Sequence, residues 1–246
     1  MADMNKETLE RMRQMRLLGM YSAFKSSIDG YSADSMTNDQ FISWLVSNEW
    51  DDRCNKMITR LIKNASFRYN ASIEDIDYSI DRGLDKNMMD RLADLSFIRE
   101  GRDLFITGCT GTGKSYIATA LGVRACQKNQ KVLYANTYRL MGKLKLAKAK
   151  GDILKELKRI EKTDLLILED FCMHPFDAGS RMSLMDIIED RYGKKSTILT
   201  SQVPVKNWYE VIGDKTVADA VLDRLVHNAL RIELKGESLR KLLGMK

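Results

Sequence analysis

Apolar residues in the first thirty positions recur at the spacing of an amphipathic helix. They occupy every third position, with polar and charged residues between them, and are Leu9, Met12, Met15, Leu18, Tyr21 and Phe24. This stripe predicts one helix from position 6 to about position 28. Its apolar face must pack against another element.

A second helical pattern begins near Thr37, because Thr37-Asn-Asp-Gln40 has the spacing of a capping box. Its apolar positions are Phe41, Trp44, Leu45, Cys54, Met57, Ile58 and Leu61. The two patterns predict a small all-helical N-terminal domain over 1–64, which we expect to make oligomer or partner contacts. Its methionines and aromatic residues are predicted to form a core.

Beyond position 101 the pattern changes to short apolar runs separated by helical stretches. The runs are rich in β-forming residues and lie at 104–107, 132–135, 165–168, 197–200 and 230–234. This alternation predicts an α/β fold with a parallel sheet wrapped by helices. The stretch 65–101 is expected to be a connector that ends in a helix, and 102–246 the α/β domain.

The composition is that of a globular protein in a reducing compartment. The chain has 246 residues, of which 44% are apolar, enough for one α/β domain and a small helical one. Four scattered cysteines without a CxxC pair, and only two histidines, indicate neither a zinc site nor a disulfide framework. No apolar run has the length of a membrane span, and the N-terminus lacks a signal-peptide core. We therefore expect a cytoplasmic protein without a membrane partner.

The run that follows the first predicted strand indicates a polyphosphate ligand. It reads Gly108-Cys109-Thr110-Gly111-Thr112-Gly113-Lys114-Ser115, and a predicted helix begins at Tyr116. The glycines permit a tight bend in which backbone N–H groups converge on one anion. Lys114 can reach the β and γ phosphates, the Ser115 hydroxyl can ligate Mg²⁺, and the helix N-terminus favours negative charge.

An ordinary glycine-rich turn is the alternative for this loop. The full eight-residue signature between a strand and a helix favours nucleotide binding by 108–115 and Tyr116. GTP is disfavoured, because no Asn-Lys-x-Asp element follows. The expected cofactors are ATP and Mg²⁺.

Two acids close the third apolar run, which reads Leu165-Leu-Ile-Leu-Glu169-Asp170. Two surface turn acids are the alternative, but acids at the end of a buried strand are costly without a cation. The order predicts Glu169 on the metal side and Asp170 as the base that polarises the attacking water. The commonest order is Asp-Glu, so hydrolysis is expected to be slow.

Positive charge is concentrated in one segment. Between Arg139 and Lys162 there are nine basic and three acidic residues, an excess as large as the net charge of +6 of the whole chain. A solvated pair of lysine-rich helices is one interpretation. In a nucleotide-dependent protein, contact with DNA phosphates is favoured. The candidate contacts are Arg139, Lys143, Lys145, Lys148 and Lys150.

Three further segments complete a resemblance to a known family. They are Thr197-Ile-Leu-Thr-Ser-Gln202, Asp223-Arg-Leu-Val-His-Asn228 and Gly236-Glu-Ser-Leu-Arg240. With the glycine-rich loop and the paired acids, they closely resemble the IstB-like branch of AAA+ ATPases, the transposition helpers of insertion sequences. The resemblance spans nearly the whole chain and includes the N-terminal segment 15–20 and the connector 67–97.

The resemblance implies a five-stranded AAA+ sheet, ATP bound between subunits of a homo-oligomer, assembly on duplex target DNA and delivery of that DNA to a transposase. Arg224 resembles the arginine finger that reaches a neighbour's γ-phosphate, and Arg240 the sensor arginine of the same subunit. Gln202 resembles the polar sensor at the end of the fourth strand. Surface ion pairs are the alternative for both arginines. Family members usually carry two aspartates where this chain has Glu169-Asp170.

Three other functions remain open at this stage. A replicative helicase loader of the DnaC or DnaI type shares the ATPase module, but has a different N-terminal domain. A small-molecule P-loop kinase would need lid arginines and a substrate pocket rather than a basic stripe. A nucleotide-gated DNA scaffold without hydrolysis is compatible with the Glu169-Asp170 order.

Overall fold

The computed structural model describes residues 2–30, 36–242 and 244, without the side chains of Ala2, Arg240 and Leu242. The chain divides into two compact units, Met1–Arg60 and Leu61–Lys246. No helix in the described part of the chain has the length and apolar character needed to cross a bilayer.

The first unit is helical. It contains α1 (Ala2–Gln14), α2 (Leu18–Gly30) and most of α3 (Asn38–Ala65). The predicted capping box is present, since the Thr37 N–H donates to Gln40 Oε1 at 2.9 Å and the Gln40 N–H to Thr37 Oγ1 at 3.3 Å. The helix predicted to begin near Thr37 is thereby confirmed.

The single helix predicted over 6–28 is wrong, because the chain breaks between α1 and α2. Arg16 takes a left-handed conformation with φ of 59°. Met15 and Leu18, which the stripe placed on the apolar face, are 67% and 43% exposed. The three-residue spacing of apolar residues therefore continues across the turn between α1 and α2, so the spacing alone could not predict this turn.

The N-terminus of α2 is capped by a side chain of α3, Glu49. The buried Glu49 carboxylate of α3 accepts hydrogen bonds from the N–H groups of Gly19 at 2.9 Å and Met20 at 3.2 Å. A Cβ at position 19 would lie 2.3 Å from the Asn48 carbonyl oxygen. Glycine is therefore needed where α2 meets α3.

The second unit is built on the predicted sheet, which the structure confirms. Its strands are β1 (Leu104–Gly108), β2 (Val132–Asn136), β3 (Leu165–Glu169), β4 (Ser196–Ser201) and β5 (Leu230–Leu234). All pairs are parallel, and the order is β2-β3-β4-β1-β5. In register, Leu104 of β1 lies opposite Ile198 and Leu230, and Leu165 of β3 opposite Ser196. The carboxyl ends of all strands therefore meet at one edge, where α/β proteins bind ligands.

Helices cover both faces of this sheet. They are α4 (Lys86–Ala93), α5 (Ser96–Arg99), α6 (Lys114–Gln127), α7 (Thr137–Ala149), α8 (Ile153–Glu161), α9 (Ala178–Arg191), α10 (Trp208–Ile212), α11 (Lys215–Val226) and α12 (Leu239–Leu242), with a 3₁₀ turn at Val205–Asn207. The connector and α6 pack on one face, and α7 to α11 on the other. On the second face, the Trp208 ring lies 5.0 Å from Phe105 and 4.8 Å from Phe171, between centroids. This packing fixes the strand ends that carry the loop and the acids.

Candidate functional site: a nucleotide cleft at the carboxyl edge of the sheet

The loop between β1 and α6 requires its glycines. Gly108, Gly111 and Gly113 have φ of 146°, 82° and 95°. A Cβ at Gly108 would lie 2.2 Å from the Leu234 carbonyl oxygen, and one at Gly111 2.0 Å from Ser238 Oγ. The loop is thus bent by its own backbone and pressed against the segment that follows β5.

The functional end of Lys114 is held inside the loop. Its Nζ donates to the carbonyl oxygens of Gly108 at 2.8 Å and Cys109 at 2.6 Å, and the Thr112 hydroxyl also donates to Cys109 at 2.9 Å. The helix α6 begins at Lys114 and continues for 14 residues, so its positive end faces the loop. This is the arrangement of a phosphate-binding loop.

A cleft of about 770 Å³ opens beside the loop. Its walls include Thr110, Gly111 and residues 113–116 of the loop and α6, both acids at the end of β3, and Gln202 after β4. The connector and Leu239 of α12 form the remaining wall. The volume is in the range of small-molecule and cofactor sites.

The two acids are positioned differently. Glu169 ends β3 and is buried, whereas Asp170 is half-buried in a left-handed conformation with φ of 54°. Asn136 Nδ2 donates to Asp170 Oδ2 at 2.9 Å, and the Asp170 N–H to Thr200 Oγ1 at 3.4 Å. Burial raises the pKa of the Asp170 carboxyl, and so does the neighbouring Glu169 charge, while Arg68 opposes this shift.

Gln202 also lines the cleft. The Thr110 hydroxyl donates a hydrogen bond to Gln202 Oε1, which joins the end of β4 to the loop. The structure therefore brings together the loop, Glu169, Asp170 and Gln202, all on the carboxyl edge of the sheet.

Comparison with known proteins agrees with this geometry. Residues 10–244 match the pattern of the IstB-like ATP binding protein family. The chain belongs to that family. A Sinorhizobium fredii protein named as an insertion sequence ATP-binding protein is 40% identical over 95% of this chain and 96% of its own length. The ATP-binding protein of insertion sequence IS1162 from Pseudomonas fluorescens is 36% identical over 82% of this chain and 87% of its own.

Solved structures show the same AAA+ P-loop fold. The DnaC helicase loader superposes with a TM-score of 0.54 at 22% identity, covering 67% of this chain and 97% of its own. AMPPCP-bound DnaA from Aquifex aeolicus superposes with a TM-score of 0.59 at 20% identity, covering 72% and 54%. Fold and family together make this an ATP-binding AAA+ protein, and the cleft is its candidate nucleotide site.

Residues outside the sequence motifs also form the cleft. Arg82, which is buried, donates from Nη1 to the Thr112 carbonyl oxygen at 3.1 Å and from Nη2 to the Asp77 carbonyl oxygen at 2.9 Å. Its own carbonyl oxygen accepts from the Lys235 N–H at 2.8 Å. Arg82 thus joins the connector, the loop and the segment after β5, although no periodicity in the sequence marks it.

Arg68 and Tyr69 form the connector wall near the acids. Arg68 Nη1 lies 3.9 Å from Glu169 Oε2, and its side chain is 69% exposed. The Tyr69 ring stacks on Tyr116, with the centroids 6.4 Å apart. A permanently charged guanidinium therefore lies at the cleft beside the acid predicted for the metal side.

Asn136 was also missed by sequence reasoning. Its Oδ1 caps α7 by accepting from the Arg139 N–H at 3.2 Å, while its Nδ2 holds Asp170. An Asn at the end of a strand and the start of a helix is a recognisable cap. The contact with Asp170 depends on the pairing of β2 with β3, which the cap signal does not contain.

The side chains that the structure describes do not bring the two predicted arginines, Arg224 and Arg240, together with the other candidates. Arg224 lies on α11, where Nη2 pairs with Glu189 Oε2 of α9 at 2.5 Å and Nη1 donates to the Ala220 carbonyl oxygen. Within the part of the chain that the structure describes, Arg224 does not line the nucleotide cleft. The Arg240 side chain lies outside the described residues. Its neighbour Leu239 donates its N–H to the Gly111 carbonyl oxygen at 2.9 Å.

The predicted DNA contacts lie on one helix and its end. All five are exposed; four lie on α7 and the fifth directly follows it, and they are Arg139, Lys143, Lys145, Lys148 and Lys150. Lys143 Nζ pairs with Glu156 at 2.8 Å, and Lys145 Nζ with Asp177 at 3.1 Å. Asp177 lies outside the segment 139–162 and offsets part of its excess positive charge, whereas Glu156 is one of the three acids already counted in it.

The oxygen ligands in the cleft suit Mg²⁺. Ser115 and Glu169 both line it, and Mg²⁺ prefers hydroxyl, carboxylate, phosphate and water oxygens. Among the described residues, no group of three or more His, Cys, Asp or Glu side chains forms a metal cluster. A metal bound here would therefore take its other ligands from the phosphates and water.

The position of Arg68 yields a charge-selective prediction. We expect Arg68→Gln to weaken ATP binding more than ADP binding, because the lost cation lies beside Glu169, the acid predicted for the metal side of the triphosphate. Titration with a fluorescent nucleotide measures both affinities. Arg99→Gln is the matched control, since Arg99 is 68% exposed and pairs with Asp94 at 3.2 Å outside the cleft. Equal losses for ATP and ADP would exclude a terminal-phosphate contact.

Proposed function

We propose that this protein hydrolyses ATP, assembles on duplex DNA with ATP at its subunit interfaces, and assists a transposase in DNA transposition. The observation that carries the proposal is one cleft lined by the phosphate loop, both β3 acids and Gln202. The family and the insertion-sequence names of its relatives support the transposition context.

Hydrolysis needs charge stabilisation and an oriented water. In this proposal Lys114 and Gln202 contact the γ-phosphate, while Ser115 and Glu169 would hold Mg²⁺, whose charge would offset that of the phosphates. Asp170 orients and polarises the attacking water, and its hydrogen bonds from Asn136 and Thr200 fix its direction.

The first test of this chemistry is Asp170→Asn. We expect turnover to be abolished while ATP affinity is largely kept, because the amide fits the same space but is a poor base. Phosphate release and nucleotide titration measure the two properties.

Asp94→Asn is the control for this variant, because Asp94 is an exposed acid that does not line the nucleotide cleft. Full activity in Asp170→Asn would remove Asp170 from the mechanism. Loss of ATP binding in parallel with turnover would make Asp170 a binding residue instead.

Assembly is assigned to Arg224. Its guanidinium lies on α11, away from the cleft-lining residues of its own chain, and its side chain is 25% exposed. A planar, permanently charged group of this kind can stabilise a neighbour's terminal phosphate. Reaching a neighbour would require Arg224 to leave Glu189, so this ion pair would compete with assembly.

DNA binding is assigned to the exposed face of α7. Lysines and arginines act there as charges toward phosphates, which predicts weak sequence specificity and strong salt dependence. Arg139, Lys148 and Lys150 supply this charge together with Lys143 and Lys145, whose ion pairs would have to yield to DNA.

The proposal is tested by sedimentation with duplex DNA of about fifty base pairs, long enough for several subunits to neutralise phosphates. At fixed salt, we expect a large complex with ATP and none with ADP. Arg224→Ala should lose this complex while the isolated chain still binds ATP. A protein that stays monomeric and off DNA with both nucleotides would contradict the proposal.

Glu189→Gln separates the two roles of Arg224. It removes the same ion pair but keeps the arginine, so assembly should persist or strengthen. If both variants lose assembly equally, the ion pair within the chain matters rather than a contact with a neighbour.

A helicase loader remains the second candidate, because DnaC shares the fold. The family pattern begins at residue 10 and so includes the end of α1 together with α2 and α3, which favours the transposition role.

A further inference from the structure

A second cavity, of about 270 Å³, lies beside the start of α7. Its walls include Tyr138 and Met141 of α7 and Met173, His174 and Phe176 of the loop that follows β3. The space is at or below the usual size of drug-sized ligand sites, about 300–1,000 Å³. It therefore suits one flat ring system or one side chain.

Tyr138 presents an aromatic ring at the mouth of this cavity. The ring is 66% exposed, and its centroid lies 5.0 Å from that of His174, with 53° between the planes. Gly142 lies one turn further along α7 and also lines the cavity, and a Cβ there would meet nothing within 4 Å. The exposed part of this ring, with open space beside Gly142, is a candidate stacking surface.

Cations flank the ring. Arg139 and Lys145 line the same cavity, and Lys145 stands seven residues from Tyr138, on the same face of α7. Asp177 is the acid that pairs with Lys145. An aromatic platform between basic side chains is the combination that holds unpaired nucleic-acid bases with their phosphates.

The cavity also reaches the nucleotide site. Asp170 lines both cavities, and Cys172, two residues further along, lines the second. Both residues have positive φ, of 54° and 57°, although neither is glycine. Backbone strain of this kind is concentrated at functional sites.

We propose that this cavity binds an unpaired nucleobase of the bound DNA, stacked on Tyr138, with Arg139 and Lys145 on the adjoining phosphates. The site rests on the DNA binding of the proposed function and adds to it a contact that is not electrostatic. The base can come from a single strand or from a duplex step that is unstacked on binding.

The test uses DNA that carries 2-aminopurine, whose fluorescence falls when it stacks, either in a single strand or at a mismatch in a duplex. We expect quenching with the wild type and its loss in Tyr138→Ala. Affinity should fall about five- to a hundred-fold, as for other stacked bases. Tyr138→Phe should restore both, because it keeps the ring. Quenching with the single strand or with the mismatched duplex shows which of the two DNAs supplies the base.

Salt dependence separates this site from the basic face. Tyr138→Ala should leave the slope of affinity against salt unchanged, whereas Lys148→Gln should lower it by about one. Tyr192→Ala is the matched control, since Tyr192 is 53% exposed and does not line the cavity. Gly142→Leu, which would fill the space, should reproduce the loss of quenching.

If Tyr138→Ala quenches 2-aminopurine and binds DNA as well as the wild type does, while Lys148→Gln lowers the salt slope, the proposed base site is overturned and the proposed function still stands. If Tyr138→Ala loses transposase binding but still quenches 2-aminopurine, the cavity binds a protein partner, and the proposed base site is again overturned. Absence of DNA binding by the wild type would overturn both proposals.

Discussion

The contact between the phosphate loop and the chain on either side of it is the constraint on which the site depends. Gly111 lies so close to Ser238 that no side chain fits between them, and the Leu239 N–H donates to the Gly111 carbonyl oxygen. On the connector side, Arg82 donates to the Thr112 carbonyl oxygen. The loop is therefore shaped by segments more than a hundred residues apart, in addition to its own glycines.

The same edge of the sheet couples nucleotide chemistry to α7. Asn136 caps this helix and holds Asp170, so a side chain at the end of β2 joins the predicted DNA-binding helix to the predicted base. Asp170 in turn borders both the nucleotide cleft and the cavity beside Tyr138. Asn136 and Asp170 are therefore the residues through which α7 adjoins the nucleotide cleft.

Local signals in the sequence were enough to predict the strands, the phosphate loop and the capping box at Thr37. Each of these depends on residues a few positions apart, so spacing alone describes them. The break between α1 and α2 was not predictable in this way, because Glu49 caps α2 from another helix. The ion pairs of Lys143 and Lys145 were missed for the same reason, since their acids lie on α8 and after β3.

The contribution of the connector to the nucleotide cleft was not predictable from the sequence. Arg68 and Arg82 belong to no motif, yet both line the nucleotide cleft. The reason is that the connector, which precedes β1 in the sequence, packs beside the loop that follows β1. Membership of the family indicates the ligand. Only the fold places these two cations beside it.

We infer that ATP binds in a cleft formed jointly by the loop, the connector and the segment after β5. Hydrogen exchange of the full chain with and without ATP distinguishes this cleft from a site made by the loop alone. We expect ATP to slow exchange at the amides of Lys235 and Leu239, which donate to Arg82 and Gly111, as well as in the loop itself. Protection confined to residues 108–116, with these two amides unchanged, would show that the loop alone binds ATP.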